Sequence, residues 1–230
     1  MTGGPAGAPG DEGVSGASER PRALGEREAV DPARLAEAAV GYLPGRRWFR
    51  SKARTIRDAA VVDRVDVPLA GGAGVATVAF VAVAYTDGTT ETYALPVVAR
   101  EAAGGELEPG LVVSAADGPP LVDAFAEPGF ARALLDGIGS GTRWRGDRGE
   151  IVAAPTGAFE RLRGSGELAV RRTEVEQSNS SVVLGERLIL KLYRRPDPAP
   201  NPEVEVGRFL TERGFPHAPA VAGSAEYLPA

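Results

Sequence analysis

The chain has 230 residues, of which 43% are hydrophobic, and a formal net charge of −5 at pH 7. It has no cysteine, which excludes disulfides, thiolate zinc sites and cysteine nucleophiles, and its single histidine, His217, excludes a multi-histidine metal site. The acidic balance argues against nucleic acid as the main partner, because phosphate backbones are bound by basic surfaces. The length and the apolar share fit one large or two small globular domains.

The first 30 residues predict a disordered leader. Residues 1–30 are rich in Gly, Ala, Glu and Pro and contain no apolar run that could offset the entropy of ordering. The stretch lacks the basic start and the apolar segment of a secretory signal, and nowhere does the chain have the long apolar run of a membrane span. We therefore expect a cytoplasmic protein with no membrane partner.

Residues 31–148 predict a first domain built on an antiparallel sheet. Asp31 as N-cap and Pro32 at the first helical position indicate a short helix. Runs rich in Val, Thr and aromatic residues then predict the strands of a meander, at residues 59–69, 75–88 and 89–98. Asp87-Gly88 is typical of a hairpin turn between the last two. A helix or a pair of helices follows, with a break or kink expected at Pro128-Gly129.

Residues 149–230 predict a second block of short strands with one helix. The strand candidates are residues 150–162, 167–177, 180–184, 187–195 and 218–228. The helix is expected over residues 201–215, with Pro202 near its start and Gly214 as its stop. Because this order differs from the alternating strands and helices of a doubly wound sheet, we expect an α+β fold.

One of the two lysines in the chain, Lys191, lies within an apolar strand candidate. Strand alternation puts Ile189 on the same face as Lys191. We expect the next helix to supply a carboxylate partner, and we favour Glu205 over Glu203 because Glu205 lies one helical turn before Phe209. A strand lysine paired with a helix glutamate is the protein-kinase arrangement for holding nucleotide phosphates.

The segment before this strand pair, residues 177–181, is small and polar and can offer backbone N–H groups and hydroxyls to phosphate. It contains neither GxGxxG nor GxxxxGK[ST]. Each feature also has a structural explanation: the lysine can extend to water, the polar tract can be a turn, and the glutamate can be solvated. The ordered combination of loop, lysine and glutamate favours a kinase-like site.

The stretch "EQSNSSVVLGERLILKLYRR", followed by "NPEVEVGRFL", resembles the N-terminal lobe of the maltokinase family, in which "EQSNTS" precedes the lysine strand and "NPDxE" opens the helix. "GRRWFRSKARTI" and "YTDGTTETYALPV" resemble the cap domain of the same family. The resemblance covers residues 33–100 and 171–230. It implies an antiparallel-sheet N-terminal cap domain over residues 31–148 and a protein-kinase-like N-lobe over residues 149–230, of the aminoglycoside-phosphotransferase type.

Maltokinases transfer the γ-phosphate of ATP to the anomeric hydroxyl of maltose and so give maltose 1-phosphate for α-glucan (glycogen) synthesis. The resemblance therefore implies ATP and Mg²⁺ as cofactors and maltose as acceptor. It implies that the lysine holds phosphates, that the glutamate positions the lysine, that the loop covers the phosphates and that one strand residue touches adenine. These cofactor-binding residues are Lys191, Glu205, Gln177, Ser178, Asn179, Ser180, Ser181 and Ile189. Ser180 stands where the family has threonine and keeps a hydroxyl.

The family's catalytic-loop aspartate, its magnesium ligands and most of its sugar site lie in a helical C-lobe that would follow Ala230. We therefore expect no catalytic residue and no metal ligand within this fragment, and no turnover by the fragment alone. His217 lies beside prolines and is interpreted as structural. A cationic and aromatic cluster in the cap is interpreted as a Trp-Phe core anchor with solvated cations, or else as a docking surface for the kinase lobe or for a trehalose synthase; its members are Arg46, Arg47, Trp48, Phe49 and Lys52.

Two other functions remain open from the sequence. A glucosamine kinase of the related family would share the cap and the N-lobe. A noncatalytic interaction module would retain both as a scaffold. An aspartate-bearing catalytic loop encoded beyond Ala230 would favour an enzyme over the module.

Overall fold

The computed structural model describes residues 1, 3, 30–72, 74–100, 112–114, 116, 118–173, 179–197 and 199–230. The predicted leader lies outside these residues, except for positions 1, 3 and 30. The helices are α1 (Pro32–Tyr42), α2 (Pro128–Ser140), α3 (Phe159–Arg163) and α4 (Pro202–Glu212). The strands are β1 (Ile56–Pro68), β2 (Val75–Tyr85), β3 (Thr90–Ala99), β4 (Val112–Ser114), β5 (Leu121–Asp123), β6 (Arg143–Arg145), β7 (Glu150–Pro155), β8 (Val170–Arg172), β9 (Ser180–Leu184), β10 (Leu188–Leu192) and β11 (Gly223–Leu228).

A five-stranded antiparallel sheet in the order β1-β2-β3-β5-β4 dominates the first part of the chain. The predicted meander and its hairpin are confirmed. At the β2–β3 turn, Gly88 has a φ of +86°, and the Asp87 carboxylate accepts the Thr89 backbone N–H at 2.9 Å. A positive φ favours glycine, and an aspartate that bonds two residues ahead closes such a turn. The turn residues thus fix the register of the two longest central strands.

Helices α1 and α4 begin where the sequence predicts. Asp31 caps α1 by accepting the Ala33 N–H at 3.1 Å, and Asn201 caps α4 by accepting the Glu203 N–H at 2.9 Å. The break expected near Pro128 is confirmed, because a 3₁₀ turn over Ala124–Ala126 ends there and α2 starts at Pro128 itself. Proline lacks the N–H that a continuous helix would need, but its fixed φ suits a first helical position.

The second part adds two three-stranded antiparallel sheets, β11-β7-β6 and β10-β9-β8, and the whole fold is α+β as predicted. Residues 150–162, predicted as one strand, instead form β7 followed by the short helix α3. The predicted boundary between residues 148 and 149 falls in the turn between β6 and β7, which pair with each other. That division into domains stays a prediction.

Two apolar cores lie on opposite faces of the large sheet. One packs α1 against it and includes Trp48 and Phe49, which are 3% and 1% exposed. The interpretation of these two residues as a core anchor is therefore confirmed. The other core contains α2 and continues into the second part of the chain through Ile151 of β7 and Leu184 of β9. The strands β9 and β10, the second of which carries Lys191, therefore pack on the same core as the large sheet.

Candidate nucleotide-binding hairpin

Strands β9 and β10 form a hairpin whose turn residue, Gly185, has a φ of +61°. Lys191 lies opposite Ser181 in the register. Ile189 and Lys191 are exposed, whereas the leucines that alternate with them are half-buried against the core. The predicted two-faced strand is confirmed, and its outer face presents Ile189, 62% exposed, beside the lysine.

The Lys191 ammonium donates to the Glu203 carboxylate. The pairing predicted with Glu205 is wrong. Helix α4 begins at Pro202, so Glu203 lies in its first turn beside the hairpin, and Glu205 lies about 200° further around the helix axis. The choice of Glu205 also assumed that Phe209 faces the sheet, but the Phe209 side chain is 54% exposed.

Glu203 is held by more than the lysine. A hydrogen bond from Lys191 and a second one from the Tyr193 hydroxyl lower the pKa of Glu203. Burial, and then the hydrogen bond to Glu203, raise the pKa of Tyr193. The Tyr193 hydroxyl is therefore a neutral donor and the Glu203 carboxylate is ionised at neutral pH. The Lys191 ammonium has three N–H donors, so two remain for other acceptors.

The predicted phosphate loop is only partly described. Gln177 and Ser178 lie outside the described residues, and Asn179 lies in a bend before β9. Ser180 is 3% exposed, and its hydroxyl accepts from Nε of Arg194 at 3.0 Å. The side chain of Ser180 thus points into the protein. Its predicted contact with phosphate, and those of its neighbours, stay predictions.

Arg194 is a residue that the sequence reasoning missed. It follows Lys191 by three positions and is 3% exposed. Its Nη2 donates to Asp123, at the end of β5, at 2.7 Å, and its guanidinium lies over the rings of Trp48 (4.9 Å) and Phe125 (5.6 Å). The only signal in the sequence is a pair of arginines directly after an apolar strand. This pattern is equally typical of a strand end that is exposed to solvent.

The Asp123 carboxylate also accepts from the Tyr42 hydroxyl at 3.1 Å. Burial, and then the charge of Asp123, raise the pKa of Tyr42 above its ordinary value. Tyr42 therefore stays a neutral donor at neutral pH. The ion pair of Arg194 and Asp123 is thus surrounded by the rings of Trp48 and Phe125 and by the Tyr42 hydroxyl, all from the first part of the chain.

A second contact between the two parts of the chain centres on Glu91 of β3. Its carboxylate lies within 3.3 Å of three hydroxyls and two guanidinium groups, those of Ser51, Tyr85, Tyr93, Arg54 and Arg195. Burial opposes ionisation of Glu91, but the three hydroxyl donors and the charge of Arg195 lower its pKa to about 2. The carboxylate is therefore ionised throughout the physiological range.

Other predicted features are peripheral to the hairpin. His217 is exposed and meets the ring of Phe215 edge-on, with ring centroids 5.6 Å apart. In the part of the chain that the structure describes, no group of three or more His, Asp or Glu side chains is arranged to hold a metal ion. None of the helices described is long and apolar enough to cross a membrane.

A comparison with protein families gives a match over part of the chain. Residues 42–126 match the family model of the maltokinase N-terminal cap domain. The match supports a maltokinase-related kinase. The matched residues run from the end of α1 through the five-stranded sheet and include Trp48 and Asp123. The Lys191 hairpin lies outside the match, so the kinase N-lobe stays a prediction.

Proposed function

We propose that the chain is the N-terminal part of an ATP-dependent maltokinase, which phosphorylates maltose to maltose 1-phosphate. The observation that carries the proposal is the match of residues 42–126 to the maltokinase cap domain. The ion pair between a strand lysine and a helix glutamate supports it, since kinases use such a pair to hold nucleotide phosphates. A cytoplasmic location, expected in the sequence analysis, is part of the proposal. So is an association with a trehalose synthase, which rests on the sequence resemblance.

In this proposal Lys191 binds the phosphates of ATP. Its ammonium is a compact charge on an exposed face, and Glu203 fixes its position while leaving N–H donors for phosphate oxygens. Ile189 lies two residues away on the same face and offers its exposed side chain to the adenine ring. Glu203 thus takes the positioning role that the sequence analysis gave to Glu205.

The proposed reaction joins the anomeric oxygen of maltose to the γ-phosphorus and breaks the bond from that phosphorus to the β–γ bridging oxygen. The anomeric hydroxyl releases its proton to solvent, and ADP leaves with the bridging oxygen and the electron pair of the broken bond. Mg²⁺, when bound, neutralises charge on the phosphates. Since no cluster of possible metal ligands occurs among the described residues, none of them is assigned to the ion.

The test is phosphoryl transfer by the product of the complete gene. The protein receives Mg-ATP with maltose or with glucosamine, ADP release is measured, and phosphorus NMR identifies the phosphorylated position. We expect an anomeric phosphate on maltose. Phosphate on the 6-hydroxyl of glucosamine would replace the proposal with a glucosamine kinase, and a folded protein that neither binds ATP nor releases ADP would indicate an interaction module.

A further inference from the structure

Arg194 connects the lysine hairpin to the large sheet through both its side chain and its main chain. Its Nε donates to Ser180 at the start of β9, and its Nη2 donates to Asp123 of the cap. Its backbone carbonyl accepts the N–H of Ala94, in β3, at 2.7 Å. The side chain and the main chain of one residue therefore hold the hairpin to two strands of the large sheet.

The contact lies at the end of the hairpin that carries the lysine. Ser180 pairs with Leu192, and Ser181 pairs with Lys191. By holding Ser180, the Arg194 guanidinium clamps the first residue of β9 against the strand end from which Arg194 itself emerges. A shift of this clamp would move the backbone beneath Lys191.

A contribution to stability does not by itself explain why Arg194 and Asp123 form a buried ion pair. Removing a guanidinium and a carboxylate from water costs free energy that their attraction offsets only with good geometry, and apolar residues of similar volume often serve as well. Both side chains are nearly inaccessible, at 3% and 6% exposure, and the guanidinium lies over the rings of Trp48 and Phe125. Its Nη1 is buried without a hydrogen-bond partner among the described residues, so the guanidinium is not fully satisfied by the pair. What a buried, directional pair provides beyond apolar packing is a fixed relative position of the elements it joins.

We propose that Arg194 is a positioning residue through which the cap sets the place of Lys191 and hence the affinity for nucleotide phosphates. The inference rests on the proposed function, because it assigns nucleotide to the Lys191 face. It gives the cap a role in nucleotide binding without contact between the cap and ATP. The cap residues that contact Arg194 are Asp123, Trp48 and Phe125.

The test is equilibrium binding of Mg-ATP by calorimetry to the wild type and five variants of the complete gene product, with circular dichroism and thermal unfolding measured in parallel. Arg194→Lys keeps the charge but loses the fork that reaches Ser180 and Asp123 together. We expect it to weaken Mg-ATP binding by about tenfold, a usual size for coupling between separated sites. Ser180→Ala should weaken binding in the same direction, and the double variant should bind no more weakly than the more affected single variant, because both act through one contact.

Asp63→Asn is the matched control. Asp63 is as buried as Arg194, at 3% exposure, and accepts from the Arg148 and Gly149 N–H groups and from the Tyr227 hydroxyl, away from the hairpin. We expect it to lower the thermal midpoint and leave the affinity for Mg-ATP unchanged. Equal affinity in Arg194→Lys and the wild type, or additive effects in the double variant, would overturn the positioning role.

Lys191→Ala distinguishes a failure of the positioning role of Arg194 from a failure of the proposed nucleotide site at Lys191. If Lys191→Ala loses Mg-ATP binding while Arg194→Lys retains it, the proposed site stands and the positioning role of Arg194 is wrong. If the wild type and Lys191→Ala bind Mg-ATP equally, or neither binds it, the nucleotide site itself is wrong and the inference fails with it.

Discussion

Lys191 and Glu203 form an exposed ion pair, to which the proposed function gives a role in binding nucleotide. Their side chains are 44% and 54% exposed, and pairs at such positions contribute between nothing and about 1 kcal/mol to stability. An exposed pair next to an exposed apolar side chain, Ile189, is suited to a ligand that is both anionic and aromatic. The free energy of unfolding and the activity should therefore respond differently to mutation here.

We expect Lys191→Ala to lower phosphoryl transfer by about two to three orders of magnitude, because it removes a donor that stabilises charge on the transferring phosphate. Glu203→Gln should lower the rate less, because the lysine remains but loses its fixed position. Glu205→Gln, the same change two residues along α4, is the control and should retain the wild-type rate. Steady-state kinetics of the complete gene product measures all three, and a larger loss in Glu205→Gln than in Glu203→Gln would return the role to Glu205.

Glu91 makes the stability depend on pH. Its pKa falls from an ordinary 4.5 to about 2 in the folded protein, so between these values the unfolded chain takes up the proton first. The stabilisation is complete above pH 4.5 and is lost as the pH falls towards 2. We expect roughly 2 kcal/mol of this dependence to disappear in Glu91→Gln, less than the full shift implies because water reaches part of the carboxylate. Urea unfolding at several pH values checks it; an unchanged slope in the variant would contradict the assignment.

At the scale of elements, short local signals in the sequence correctly predicted where two helices start and where the hairpin turns. Asp31, Asp87-Gly88 and Pro202 act within a few residues of themselves, and the helix starts and the hairpin that they specify are all present. The choice of Glu205 failed because the face of α4 that meets the hairpin depends on tertiary packing, which leaves Phe209 exposed. The partners Arg194 and Asp123 are 71 residues apart and have no local signature.

Helix α2 provides a test of packing between elements. Its Gly137 lies against the ring of Trp144 in β6, and an added Cβ would overlap that ring. We expect Gly137→Ala to destabilise the protein by about 1–3 kcal/mol, the usual cost of overpacking. Gly41→Ala in α1 is the control, because a Cβ there meets nothing within 4 Å, and it should stabilise by up to about 1 kcal/mol. Denaturant unfolding measures both, and equal effects would show that α2 and β6 do not pack as described.

At the scale of the whole molecule, the cap and the hairpin share one apolar core. Val182 and Leu184 of β9 belong to the same buried cluster as Phe80 of β2 and Phe130 of α2. Tyr227 of β11 stacks on Phe80 with ring centroids 3.6 Å apart. Since both parts contribute to this core, we expect them to open together, and we expect the buried pair of Arg194 and Asp123 to be one polar link that couples them.

We therefore expect the amides of β2 and β9 to exchange through a single opening, with equal free energies as urea is raised. Asp123→Asn should separate them: Arg194 is left as a buried charge without its carboxylate, at a cost of about 3 kcal/mol, and β9 should then open at lower urea than β2. Hydrogen exchange followed by mass spectrometry resolves the two strands. Independent opening in the wild type would mean that the shared core does not couple the two strands, whereas joint opening in Asp123→Asn would mean that the remaining contacts couple them without this ion pair.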